Sequence, residues 1–144
     1  MSQMSANPAA SAGTTAKAWN VVLWVLQIVL AADFLMSGGM KLAGAPDMIK
    51  LFDAIGVGQW FRHVTGVLEV AGALLLLVPR ACGLGALLLA CVMLGAVATH
   101  LFVIGGSPLM ASAFLALTLI IAWDRRAHGA TPLRRRRAQG GLVS

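Results

Sequence analysis

The sequence predicts an all-α fold, an integral membrane four-helix bundle with a short interfacial helix between spans 1 and 2. Of the 144 residues, 59% are hydrophobic and only 11% are charged, whereas a soluble domain carries about a quarter charged residues. The sixteen glycines are spread along apolar runs, and glycine is commoner in transmembrane helices than in soluble ones. Short turn-forming segments divide the apolar sequence into four runs, which gives the count of four spans.

The chain opens with a small, polar segment, residues 1–18, which we expect to be a disordered arm. The first apolar run covers residues 19–39, and Trp19 and Trp24 suit the aromatic belt at one membrane face. A cleavable signal peptide is the competing interpretation of this run. A cut after Ala32 would place the bulky Leu30 where a small residue is required, so the sequence favours a retained span.

A connector, residues 40–61, separates the first two spans. Within it, PDMIKLFDAIG has Pro46 at a position suited to the first turn of a helix and Gly56 at a natural stop. Apolar and charged side chains fall on different faces of this segment. It is therefore predicted to be a short amphipathic helix lying in the membrane interface.

The remaining spans are predicted at residues 62–78, 81–104 and 108–123, joined by tight turns at Pro79–Arg80 and at GGSP. Ser107 suits an N-cap, and Pro108 suits the first helical position. The fourth span is marginal, because a helix needs about 17 to 25 residues to cross a bilayer. These boundaries give one membrane domain, residues 19–124, followed by a basic tail, residues 125–144.

Basic residues predict how the spans are threaded. With four spans both termini share one side of the membrane, and that side would hold Lys17, Arg80, Arg125, Arg126 and residues 134–137. The other side would hold only Lys41, Lys50 and Arg62. The excess of basic residues predicts that both termini are cytoplasmic. The basic tail is better explained as a topology determinant that touches anionic lipid than as a nucleic-acid site, so no nucleic-acid partner is predicted.

Three ionisable residues, Asp33, Glu69 and His100, fall inside the predicted spans. At 1.5 Å per helical residue, all three lie roughly 7 to 11 Å below the outer surface. Lys41 and Arg62 lie just above this depth. The five residues form a candidate ligand-binding polar layer, because ionisable groups within a membrane face the bundle interior and pair with one another.

Two interpretations of this layer stay open. It could be a clamp that fixes helix packing, or an outward-facing pocket for a small polar or amphipathic ligand or a proton relay. Asp33 could be only a helix-end acid, and His100 could simply donate to a backbone carbonyl. No metal site is predicted, because one His and two carboxylates on three helices carry no spacing signature.

Catalytic motifs and thiol chemistry are not indicated. The sequence has no phosphate-binding glycine loop, no H-E-x-x-H and no nucleophile elbow. Cys82 and Cys91 are nine residues apart on one predicted helix, which separates them by about 13.5 Å along the axis, too far for a disulfide.

Two motifs resemble the DoxX-like family of small bacterial membrane proteins. FLMSGGMKLAG supplies Gly39 and Lys41, and TGVLEVAGALLLLVPR supplies Gly66, Glu69 and Gly72. The resemblance covers residues 21–123 and implies a four-helix membrane bundle in the bacterial inner membrane. Lys41 and Glu69 match the family pattern and are the best site candidates, whereas Asp33 lies outside it. No cofactor-binding motif accompanies the resemblance.

The function expected from these features is a non-catalytic membrane subunit or scaffold with an outward-facing polar pocket. The family is named for a subunit of a thiosulfate–quinone oxidoreductase, so the alternative is a quinone-linked oxidoreductase component that binds quinone or another small lipophile. A small transporter is a third hypothesis, and it would require oligomerisation because four spans are few for alternating access. The partners considered are the lipid bilayer, a membrane or soluble redox protein, and a second copy of the chain.

Overall fold

The described part of the chain is helical throughout. A computed structural model describes the backbone of residues 8–129 and the side chains of residues 17–125. Five helices follow one another: α1 (Pro8–Ala43), α2 (Pro46–Ile55), α3 (Gln59–Leu77), α4 (Cys82–Thr99) and α5 (Leu109–Gly129). A π-helical turn, His100–Ile104, extends α4. No strand occurs within residues 8–129, so the predicted all-α class is confirmed for this part of the chain.

Three helical segments within the described residues are long and apolar enough to cross a membrane, namely Lys17–Ala43, Gln59–Leu77 and Cys82–Ile104. Large apolar side chains cover the outside of the helices, and Phe102 and Met110 are 84% and 74% exposed. Such a surface requires lipid, and the chain is therefore a membrane protein. Helix α5, which carries Asp124, Arg125 and Arg126 near its end, is not among these three segments. The fourth span therefore stays a prediction.

Helix α1 begins earlier than the sequence suggests. Its first residue is Pro8, so residues 8–18 are helical, which differs from the disordered arm predicted for residues 1–18. Proline is well suited to a first helical turn, and the following segment is rich in alanine, the best helix former. Residues 1–7 and 130–144, including the four arginines at 134–137, lie outside the described residues.

The predicted turn signals act as expected. Pro46 begins α2, and Gly56 ends it with φ +78°, a left-handed conformation that glycine adopts without steric cost. At the start of α5, the Leu109 backbone N–H lies 3.4 Å from Ser107 Oγ, which gives Ser107 the predicted role of a cap.

Glycines set the spacing of the helices. A Cβ at Gly38 in α1 would lie 2.9 Å from the Gly66 carbonyl oxygen in α3, and a Cβ at Gly85 in α4 would lie 2.7 Å from that of Gly72. Gly66 and Gly72 therefore lie where helices approach closely, as small residues in membrane helices often do. Gly95 in α4, by contrast, has open space where a Cβ would lie.

The four long helices pack in chain order: α1 on α3, α3 on α4, and α4 on α5. Helix α1 also reaches α5 through side chains. Trp19 Nε1 donates to Asp124 Oδ1 at 3.2 Å, and Arg125 donates to the buried Gln27 side chain at 3.1 Å. The first part of α1 and the last part of α5 therefore lie at the same end of the molecule. The apolar core between the two ends includes Leu23, Leu30, Phe34, Leu76, Leu89 and Ile121.

Candidate functional site

A cavity of about 430 Å³ lies among the helices, in the half of the molecule away from the Trp19–Asp124 contact. Its walls come from α1, α3, α4, the π-helical turn and α5, and α2 contributes side chains as well. Pockets for small molecules typically measure about 300 to 1,000 Å³ and are mostly apolar with a few polar groups. This cavity has both properties.

Four of the five predicted site residues line this cavity, namely Asp33, Lys41, Glu69 and His100. The expectation that they share one layer was based on depth alone, and the structure brings them to one space. Arg62 is not part of the lining. Three hydroxyl side chains complete the polar wall: Ser37, Thr65 and Thr99.

Lys41 and Glu69 form an ion pair between α1 and α3. Lys41 Nζ lies 3.0 Å from Glu69 Oε1 and 2.8 Å from Oε2, and it also donates to Ser37 Oγ at 2.7 Å. The side chains are 12% and 3% exposed. The three donors of the ammonium group are thus directed to oxygens of the protein, and the two charges neutralise each other where solvation is poor.

Close approach of the two helices makes this ion pair possible. A Cβ at Gly38 would lie 3.1 Å from Glu69 Cβ, so the absence of a side chain at Gly38 lets α1 pass directly over Glu69. Ser37 lies one helical turn before Lys41 and therefore on the same face. The acid in the middle of the apolar run GVLEVAGALLLLVP is buried because its partner comes from the neighbouring helix.

Arg62 does not line the cavity and instead connects the ends of helices. Its side chain is buried, and it donates from Nη1 to the Lys41 carbonyl oxygen and from Nε to Gln59 Oε1 at 2.7 Å. Gln59 in turn donates to Asp53 Oδ1 and to the Ile49 carbonyl oxygen. A cation at the last turn of α1 is favoured by the helix dipole. Arg62 therefore joins the end of α1 to the start of α3 and, through Gln59, to α2.

His100 lines the cavity at the first residue of the π-helical turn. Its Nδ1 lies 2.9 Å from the Ala96 carbonyl oxygen. Because a carbonyl oxygen only accepts, this contact requires the proton to be on Nδ1, and a neutral imidazole then offers Nε2 as an acceptor. The backbone hydrogen bond anticipated for His100 is therefore present, and it fixes which nitrogen is left for another partner.

Asp33 differs from the other polar residues of the lining. Each of the others is hydrogen-bonded or ion-paired to the protein, whereas the Asp33 carboxylate has no partner within the part of the chain that the structure describes. It is half-buried. In the same described residues, no three His, Cys, Asp or Glu side chains lie close enough to hold a metal ion.

Phenylalanine dominates the apolar part of the wall. Four of the five phenylalanines in the sequence line the cavity: Phe34, Phe52, Phe61 and Phe114. Phe34 and Phe114 meet edge to face with ring centroids 5.5 Å apart, and Phe52 and Phe61 do so at 5.9 Å. Each ring pair joins two different helices, so the aromatic wall is held in a fixed arrangement.

Helix α2 contributes side chains to this cavity, which the sequence does not suggest. Its apolar face was expected to lie in lipid. Leu51, Phe52 and Ile55 instead line the cavity, and Phe52 is buried. Helix α2 is therefore part of the wall, and an amphipathic pattern alone does not distinguish a face in lipid from a face on protein.

Sequence reasoning missed Ser37 and the buried Gln27–Arg125 contact. Ser37 could have been found, because Asp33, Ser37 and Lys41 are spaced four residues apart and must share one face of α1. Gln27 carried a weaker signal, as a lone amide in the middle of an apolar run.

Comparison with known proteins identifies the family. The sequence profile of the DoxX-like family matches residues 25–123, a segment that contains α3, α4 and every residue of the cavity lining. No curated protein and no solved structure matches the chain. Because the match extends over more than half of the sequence, this membrane protein belongs to the DoxX-like family.

Proposed function

We propose that the chain is a non-catalytic subunit of the bacterial inner membrane that binds a small lipophilic molecule carrying a polar group. The carrying observation is the cavity of about 430 Å³, whose wall combines four phenylalanines with Asp33, His100 and the Lys41–Glu69 ion pair. An apolar ligand body would rest on the rings, and its polar group would be oriented by the few polar side chains. A four-span arrangement with both termini cytoplasmic is part of this proposal.

The ion pair serves as a clamp in this proposal, while ligand contact falls to other residues. Lys41 and Glu69 already satisfy each other, and Ser37 takes the third hydrogen bond. Free capacity for hydrogen bonding in the lining is greatest at Asp33 and at His100 Nε2. The two interpretations of the polar layer therefore apply to different members of it.

The quinone-linked role is the second candidate, and the aromatic wall is the observation that favours it. Flat rings stack or meet edge to face with phenylalanine. The Asp33 carboxylate is an acceptor, and His100 Nε2 is one in the tautomer that carries its proton on Nδ1. They suit the hydroxyl donors of a quinol better than the carbonyl acceptors of a quinone. A quinone-linked component would therefore hold the reduced form here.

The test is to purify the protein in lipid nanodiscs and to identify bound lipophiles by mass spectrometry. Gly95 lines the cavity and has open space at the Cβ position, so Gly95→Phe should fill the cavity and release the bound molecule. Ala98→Phe is the matched control, because Ala98 is exposed on the same helix and outside the lining. Equal lipophile content in the two variants would refute a ligand in this cavity.

The same preparations separate the two candidate roles. A quinol that is present in stoichiometric amount and is lost in Gly95→Phe supports the oxidoreductase component. A different lipophile, together with a stoichiometric partner protein, supports the non-catalytic subunit. Glu69→Gln is informative as well. If that variant keeps its stability, its partner and its lipophile, the Lys41–Glu69 ion pair is irrelevant to both roles.

A further inference from the structure

We propose that the cavity selects a lipophilic organic cation, with Asp33 as its charge partner and the phenylalanine rings as its apolar walls. This inference rests on the proposed function, because it takes the cavity to be a ligand site and adds the charge and chemical class of the ligand. The class meant is a monovalent amine or quaternary cation on an aromatic or alkyl body.

The charge balance of the lining supports a cation. Lys41 and Glu69 cancel each other at 2.8 Å, and His100 Nδ1 donates to the Ala96 carbonyl oxygen at 2.9 Å. Asp33 remains as a carboxylate with no partner among the described residues. Asp33 is thus the acid of the lining that no basic side chain of the described residues pairs with. An unpaired carboxylate at membrane depth is costly, and a bound cation would remove that cost.

Arg62, a buried positive charge outside the lining, does not supply this partner. Arg62 is committed to the Lys41 carbonyl oxygen and to Gln59, and its Nη2 lies 3.1 Å from His63 Nε2. Within the part of the chain that the structure describes, Arg62 and Asp33 form no ion pair, and Lys41 is paired with Glu69. The carboxylate is therefore available to a ligand.

The aromatic wall favours the same ligand class. The face of a phenyl ring carries negative electrostatic potential and attracts a cation within about 6 Å of its centroid. Phe34 lies one residue after Asp33 on α1, and Phe114 packs against it from α5, so rings and carboxylate bound the same space. A neutral lipophile would use the rings alone, and an anion would be repelled by Asp33.

The test compares two probes of nearly equal size and shape and opposite charge, tetraphenylphosphonium and tetraphenylborate. Binding is measured by equilibrium dialysis against the protein in phosphatidylcholine nanodiscs, with empty nanodiscs subtracted. We expect tetraphenylphosphonium to bind and Asp33→Asn to weaken it at least ~10-fold, because opposite charges a few Å apart at an effective dielectric constant of about 20 contribute more than one decade. Asp33→Glu should retain most of the affinity.

Asp47→Asn is the matched control, because it removes the same charge from an exposed position outside the cavity and should leave tetraphenylphosphonium binding unchanged. The inference is overturned if Asp33→Asn and Asp47→Asn bind the cation alike, or if tetraphenylborate binds the native protein as tightly. In either case the cavity can still be a ligand site. If Gly95→Phe then displaces a neutral lipophile, only the selectivity for cations is refuted. If Gly95→Phe changes the binding of no probe, the proposed function fails as well.

Discussion

At the scale of single residues, the Lys41–Glu69 ion pair is the contact that the sequence described best. Glu69 was identified as an acid that needs a partner, and Lys41 was singled out through the family pattern. Arg62 could not be assigned in the same way. Its position near the span boundary allowed contact with either the cavity or a helix end, and only the three-dimensional path of the α1 terminus places the Lys41 carbonyl within its reach.

We predict that breaking this ion pair on one side destabilises the protein more than removing it completely. Glu69→Gln leaves the Lys41 ammonium group poorly compensated at a site where it is only 12% exposed, and such a loss costs about 3 kcal/mol in the free energy of unfolding. Lys41→Met should cost a similar amount. The double variant should lose clearly less than the sum, because no uncompensated charge is left. Unfolding in mixed micelles by denaturant would measure all three.

Asp47→Asn provides the baseline for these variants, since it also removes a carboxylate and lies on the exposed surface. Strictly additive losses in the double variant would contradict a coupled pair. They would show that Lys41 and Glu69 contribute through separate contacts.

At the scale of helices, the boundaries followed from local chemistry. Pro46, Gly56 and Ser107 act at the positions read from the sequence, because caps and turns depend on neighbours in the chain. Helix contacts were harder to predict. Gly66 and Gly95 look equivalent in sequence, yet only Gly66 faces another backbone closely, since the rotation of each helix about its axis is set by packing.

This difference between glycines predicts opposite responses to the same substitution. In Gly85→Ala, the new methyl group would lie 2.6 Å from the Leu76 backbone nitrogen and 2.7 Å from the Gly72 carbonyl oxygen. The two helices would have to separate, at a cost of about 1 to 3 kcal/mol. Gly95→Ala, on the same helix, meets no atom within 4 Å and gains helix propensity, so its stability should be unchanged or slightly higher. Thermal unfolding in one detergent would compare the two, and equal losses would contradict the close contact of α3 and α4.

At the scale of the whole molecule, composition was sufficient for the helical class and for the membrane as the environment. The cavity was beyond sequence reasoning, because its wall collects side chains from six helical segments and its volume depends on how they pack. The polar members could be placed at one depth by counting residues along each span. The aromatic members could not, since Phe34, Phe52, Phe61 and Phe114 are far apart in the sequence and converge only in the fold.

Threading through the membrane gives the prediction for the molecule as a whole. Trp19 and Asp124 are hydrogen-bonded at one end, and the turn at Gly105 and Gly106 follows the π-helical turn that lines the cavity at the other. Together with the excess of basic residues near the termini, this arrangement predicts cytoplasmic termini and an external Gly106.

A green fluorescent protein fused after Ser144 should fluoresce, and alkaline phosphatase fused at Gly106 should be active. Phosphatase fused at Arg80, in the turn between α3 and α4, is the internal control and should be inactive. An inactive fusion at Gly106 with an active one at Arg80 would invert the topology, and the cavity would then face the cytoplasm, where its ligand would have to originate.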